Sequence, residues 1–89
     1  MDPDVPYRLH PQVALRPESF GALAYHYGNR RLSFLKSPRR REVVERLADH
    51  PDAGSACRAA GVREGEMPSY RRALDTLAER GMIVPRETA

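Results

Sequence analysis

Over residues 7–36 apolar and polar positions alternate with the period of an extended strand. Over residues 38–78 they recur at the three- and four-residue spacing of a helix. Val13-Ala14-Leu15 is short and runs into Pro17, which predicts a short first strand. Residues 21–27 and 30–35 alternate on either side of Gly28-Asn29. Both turn residues tolerate positive φ, so this stretch predicts a hairpin with a two-residue loop. Such a loop places Tyr27 opposite Arg30, Tyr25 opposite Leu32 and Leu23 opposite Phe34 on one face. The other face then holds Ala22 with Leu35, Ala24 with Ser33 and His26 with Arg31. The first set is large and apolar and is expected to cover the core. The second is small or polar apart from Leu35, and a slip of one residue would mix the two. In a two-residue hairpin Tyr27:Arg30, Tyr25:Leu32 and Leu23:Phe34 are the hydrogen-bonded pairs. The N–H and C=O groups of Arg31, Ser33 and Leu35 are then expected on the free edge of the third strand.

Ser37-Pro38 reads as a helix N-cap followed by proline at the first helical position. The helix it starts runs to about Asp49, with Val43, Val44, Leu47 and Ala48 as its apolar stripe. Arg40 stands where that stripe would continue, so this end of the helix is expected in water. Pro51 blocks continuation beyond His50. A second helix of small residues spans roughly Asp52 to Ala60 and stops at Gly61, a left-handed C-cap candidate. Residues 62–66 form a linker. Pro68 opens a third helix that ends at Gly81 and carries Tyr70, Ala73, Leu74, Leu77 and Ala78 on one face. Met82-Ile83-Val84, closed by Pro85, is a last short extended segment. Residues 1–6 hold two prolines, two aspartates and little to bury, which predicts a disordered tail; residues 87–89 form the other tail. One domain over residues 7–86 is expected. Its fold class is α+β and winged-helix-like: an N-terminal three-stranded antiparallel sheet followed by a three-helix bundle.

Composition narrows the function. A chain of 89 residues buries only about 60 % of its unfolded surface, which leaves little room for a preorganised catalytic pocket. No apolar run is long enough to span a membrane, and the acidic start Asp2-Pro3-Asp4 is unlike a secretory signal; a cytoplasmic location is the default expectation. A single cysteine, Cys57, excludes an internal disulfide and a cysteine-rich metal site. The net charge of +3 is modest, but residues 30–46 hold seven basic residues against two acidic ones and so carry a local +5.

Nothing in the sequence assembles a catalytic, metal or cofactor site, and no enzyme is expected. His10, His26 and His50 are scattered and read as surface residues. Cys57 on a small-residue stripe reads as a buried, inert thiol. DNA binding, as a winged helix-turn-helix transcriptional regulator, is the alternative. Residues 56–61 followed by Ser69-Tyr70-Arg71-Arg72 resemble a turn and recognition helix. Three features oppose it. Glu64 and Glu66 lead into the third helix, the basic cluster lies on the hairpin and first helix, and no basic wing follows Gly81.

A peptide-binding module fits better. The third strand of a sequentially ordered sheet keeps one edge free beside the helix bearing Tyr70, Leu74 and Leu77. An extended peptide can add to Arg31, Leu32, Ser33, Phe34 and Leu35 as a further strand, with alternate side chains dropping between strand and helix. About four backbone bonds at ~1 kcal/mol each and two buried aliphatic side chains at ~2 kcal/mol each offset the ordering of a short peptide.

The stretches 7–18, Phe20-Gly21-Ala22-Leu23, Arg31-Leu32-Ser33-Phe34-Leu35-Lys36-Ser37-Pro38, Tyr70-Arg71-Arg72-Ala73-Leu74 and Gly81-Met82-Ile83-Val84-Pro85 resemble the mycofactocin biosynthesis chaperones of the MftB type. These belong to the PqqD-like group of RiPP precursor recognition elements. The resemblance implies a non-catalytic winged-helix-like domain without a cofactor. It would bind the leader of a ribosomally made precursor peptide and present it to a radical SAM maturase. Within the group the leader adds beside the third strand and packs on the third helix. Carried onto this chain, that means residues 31–35 with Tyr70, Leu74 and Leu77. Arg39, Arg40 and Arg41 are then candidates for docking the enzyme.

Overall fold

The computed structural model describes residues 5–86. Of the expected tails, residues 1–4 of the first (1–6) and all of the second (87–89) lie outside the described residues. Strands β1 (Tyr7–Leu9), β2 (Val13–Glu18), β3 (Gly21–His26) and β4 (Leu32–Leu35) come first. Helix α1 (Pro38–Arg46) continues as a 3-10 turn to Asp49 and is followed by α2 (Ala53–Ala59). A second 3-10 turn (Glu64–Glu66) leads into α3 (Met67–Glu79), and β5 (Ile83–Pro85) closes the order. The expected three-stranded antiparallel sheet is present in the order β2-β3-β4, and a second sheet pairs β1 with β5. With three residues in each partner, alternation is too short to announce that second sheet. It joins the two ends of the chain through His10 N–H to the Met82 carbonyl and Arg86 N–H to the Pro6 carbonyl, both 2.9 Å, and Val5 packs on the core beside it.

The helices start and stop where their caps predict. Ser37 Oγ accepts the Arg40 N–H at 3.0 Å, and the Asp52 carboxylate accepts the Ser55 N–H at 2.7 Å. Gly61 takes φ of 89° just beyond α2, a conformation that a side chain would strain. Val43 and Val44 from α1, Leu47 from the 3-10 turn after it, Cys57 from α2, Leu74 and Leu77 from α3, and Met82 and Ile83 form the core; Ala48 stays exposed.

The hairpin pairs as expected, with Ala22 opposite Leu35, Leu23 opposite Phe34, Ala24 opposite Ser33 and Tyr25 opposite Leu32. Its loop is different. Arg30 N–H bonds to the His26 carbonyl at 2.7 Å, so the loop spans residues 27–30, and the left-handed residue is Arg30 with φ of 61°. Tyr27 does not pair with Arg30; its N–H bonds to the Gln12 carbonyl at 2.8 Å. His26, expected at the surface, is buried, and its Nδ1 accepts the N–H groups of Gly28 and Asn29 at 3.0 and 3.1 Å. Gly28 is required by space: a Cβ there would collide with the Gln12 Oε1 and with the His26 ring.

The two faces of the hairpin are also reversed from expectation. Ala22, Ala24, His26, Ser33 and Leu35 face the core, while Leu32, Phe34 and Tyr27 are exposed. Small residues on the inner face let α1 pack close onto β3, and the volume of the core comes from the helices. Alternation separates two faces but does not say which one is covered. Strand β2, expected to stop at Pro17, runs on to Glu18 as an edge strand.

Candidate functional site

A groove of about 510 Å³ lies between β4 and α3. Leu32, Ser33, Phe34, Leu35 and Lys36 form its strand wall. Tyr70, Ala73, Leu74, Thr76, Leu77 and Arg80 form its helix wall, and Arg40, Val43 and Val44 of α1 close one side. Strand β4 has β3 on one side and, among the described residues, no strand on the other. Tyr70, Leu74 and Leu77 are buried at one-face spacing, which sets an apolar ridge beside the open edge.

Seven of the eight expected peptide-contacting residues are gathered here; Arg31 is not. Arg31 is exposed, its carbonyl accepts the His26 N–H at 2.9 Å, and its own N–H donates to Asn29 Oδ1 at 2.9 Å. That bond to His26 also fixes the hydrogen-bond parity of the hairpin. Pairs alternate along an antiparallel ladder, so Ser33 and Leu35 turn their N–H and C=O groups inward to β3, and Leu32 and Phe34 turn theirs to the open edge. The expectation that Arg31, Ser33 and Leu35 present the edge is therefore corrected. The cause is the loop: four residues rather than two shift the parity without shifting the register.

One of the edge groups is already engaged. Arg80 Nη2 donates to the Leu32 carbonyl at 2.6 Å and Arg80 Nε donates to Ser33 Oγ at 2.9 Å, while the Arg80 carbonyl accepts from Asn29 Nδ2 at 3.1 Å. Arg80 thus ties the end of α3 to β4 and to the β3–β4 loop. Arg40, expected in water, instead lies 5.8 Å from the centre of the Tyr70 ring and reaches Ser69 Oγ at 3.5 Å. Its place in the apolar stripe of α1 is explained by this stacking. The three arginines of the expected docking patch diverge: Arg39 approaches Glu66 at 3.8 Å, while Arg41 reaches the Gly21 carbonyl and Glu45.

Sequence reasoning missed Lys36, Arg40, Val43, Val44, Ala73, Thr76 and Arg80 as lining residues. Ala73, Thr76 and Arg80 sit three or four residues from Leu77 or its neighbours on the same side of α3, a spacing that points to them once the groove is known. Burial pushes the Cys57 thiol up, and the Ser55 N–H at the α2 cap holds Asp52 below the usual carboxylate range; neither lines the groove. Among the described residues no three His, Cys, Asp or Glu side chains are gathered as a metal site, and no helix is long and apolar enough to cross a membrane.

The sequence profile of the Peptide chaperone MftB family matches residues 6–84. The chain is similar to peptide chaperone MftB of Mycobacterium tuberculosis (strain ATCC 25618 / H37Rv), with 58 % identity over 98 % of this chain and 80 % of that one. It is 59 % identical to peptide chaperone MftB of Mycobacterium ulcerans (strain Agy99), over 97 % of this chain and 79 % of the other. The MftB of Mycolicibacterium smegmatis (strain ATCC 700084 / mc(2)155) is 58 % identical over 94 % and 82 % of the two chains. No solved structure gives a significant match.

Proposed function

This chain belongs to the peptide chaperone MftB family, and from that premise we propose that it receives its peptide by β-strand addition at β4. As a member it is a peptide chaperone of mycofactocin biosynthesis and not an enzyme. The peptide is the leader of a ribosomally made precursor. It pairs with Leu32 and Phe34, packs against Tyr70, Leu74 and Leu77, and is presented in the cytoplasm to a radical SAM maturase. Tethering raises the effective concentration of substrate at the enzyme. The observation that carries this reading is the open edge of β4 running beside the apolar ridge of α3. Two N–H and two C=O groups, those of Leu32 and Phe34, are directed there by the ladder parity. Arg39, Arg40 and Arg41 remain the proposed enzyme-docking residues, with Arg40 shared with the groove.

A titration with fluorescently labelled precursor leader tests the binding mode. Proline at position 34 removes an edge N–H but no bond to β3, so Phe34→Pro should keep the circular dichroism and unfolding midpoint of the parent and lose at least about tenfold in affinity. Ala73→Trp fills the half-buried floor of the groove and should do the same. Parental affinity in both variants would refute strand addition at β4. For docking, Arg39→Glu and Arg41→Glu together should weaken complex formation with the maturase in calorimetry; an unchanged complex removes that role.

A further inference from the structure

The geometry points to a peptide that carries carboxylates at both ends of its groove-filling stretch, with Arg80 exchanging a backbone carbonyl for one of them. This rests on strand addition at β4 and adds the chemistry of what is chosen. Among the described residues three charged side chains line the groove, Lys36, Arg40 and Arg80, and all are cationic. Asp75 and Glu79 lie on α3 but do not line it. Among the described residues none of the three cations makes an ion pair. Elsewhere in the basic segment Arg39, Arg41 and Arg46 have carboxylates within 4 Å, while Arg30 and Arg31 stand exposed off the groove. The groove thus combines apolar walls with cations that no carboxylate of the described residues neutralises.

The cations also mark its ends. Arg80 sits at Leu32, where β4 begins, and Lys36 follows directly after Leu35, where it ends. An added strand spans this distance in about four residues at ~3.3 Å each. Those residues have the apolar ridge beside them and a cation at either end.

Arg80 adds a step. A peptide pairing with β4 needs the Leu32 carbonyl as an acceptor, and Arg80 Nη2 occupies it. Displacement takes one charge-assisted bond from the guanidinium. The bond from Nε to Ser33 Oγ involves a side chain on the core face, so it persists and keeps the guanidinium at the site. A peptide carboxylate there restores the lost bond with an ionic one, whereas a neutral residue leaves it to water. Arg80 is therefore a latch that a neutral strand must break without replacement.

The test uses three labelled synthetic peptides of alternating Val and Thr, with Glu, Gln or Lys at both ends of a four-residue stretch. Polarisation against the full-length protein should rank Glu above Gln above Lys, by about tenfold per carboxylate over glutamine. Raising salt from about 0.05 to 0.5 M should erase most of the Glu advantage. Arg80→Gln should weaken the Glu peptide and leave the Gln peptide equal or tighter, because the Leu32 carbonyl is then free. Arg40→Gln should reduce the Glu advantage without that second effect. Should a variant fail to fold, the ranking and salt dependence in the parent still decide. Equal binding of Glu and Gln peptides overturns the charge selection and leaves strand addition standing. Absence of binding by all three, together with intact leader binding in Phe34→Pro, overturns both.

Discussion

Along β2 the outward backbone positions are Val13, Leu15 and Pro17; along β4 they are Leu32 and Phe34. The first assignment follows from the Tyr27 N–H to Gln12 carbonyl bond, which puts Gln12, Ala14, Arg16 and Glu18 in the ladder with β3. On β2 the Val13 N–H is taken by the His10 carbonyl at 2.9 Å, and Pro17 has no N–H at all. One donor, that of Leu15, is left. On β4 both edge N–H groups remain, no proline interrupts, and the apolar ridge of α3 runs alongside. An exposed edge invites pairing with any chain. One sheet thus has a guarded edge and a receptive one, and the difference lies in where one proline and one helix fall.

The contrast can be broken from several sides. The largest effect belongs to Ser33→Pro, which removes an inward ladder bond of β4. It should destabilise the domain by about 3 kcal/mol, read as a lower urea midpoint, where Phe34→Pro leaves the midpoint in place. Exchanging these two outcomes would reverse the parity assigned here. His26→Ala comes next. It strips two loop N–H groups of their acceptor and should cost about 2 kcal/mol in the same measurement. It should also loosen Asn29, which holds the end of α3. A parental midpoint would deny His26 that role.

Pro17→Thr restores a donor on the guarded edge. Folding stability should change by no more than about 0.5 kcal/mol, while light scattering at rising concentration should reveal more self-association than the parent shows. Leader affinity at β4 should not move. A strictly monomeric variant would show that Pro17 is no guard. The smallest effect concerns pH and lies far from both edges. Asp52 is held below its usual value of 3.8 by the Ser55 N–H, so its contribution to stability is present above that value and fades as pH falls through the lower folded one. Thermal midpoints between about pH 6 and pH 2.5 should fall more steeply for the parent than for Asp52→Asn. Parallel curves would show that the cap carries no proton linkage.

Much of this was legible in the residues. Ser37 and Gly61 announced the helix ends because capping chemistry is local. The pairing of Leu23 with Phe34 followed from a pattern that only one register preserves. The buried face was not legible, since two alternating faces look alike until the helices are seen to bring the volume and the sheet mostly small residues. The edge parity failed for another reason: His26 folds its own side chain under the loop, and no propensity marks a four-residue turn closed by an imidazole. In the groove, Tyr70, Leu74 and Leu77 stood out by spacing. Arg80 did not, because it lies beyond the last helical residue and meets β4 only through the fold.

Amide hydrogen exchange by NMR, with and without the precursor leader, tests receipt of a strand at β4 most directly. The account predicts that the Phe34 and Leu32 amides gain strong protection on binding while Ser33 and Leu35, already bonded to β3, change little and Leu15 does not change. Protection gained at Leu15, or none gained at Phe34 with the leader saturating, would contradict it.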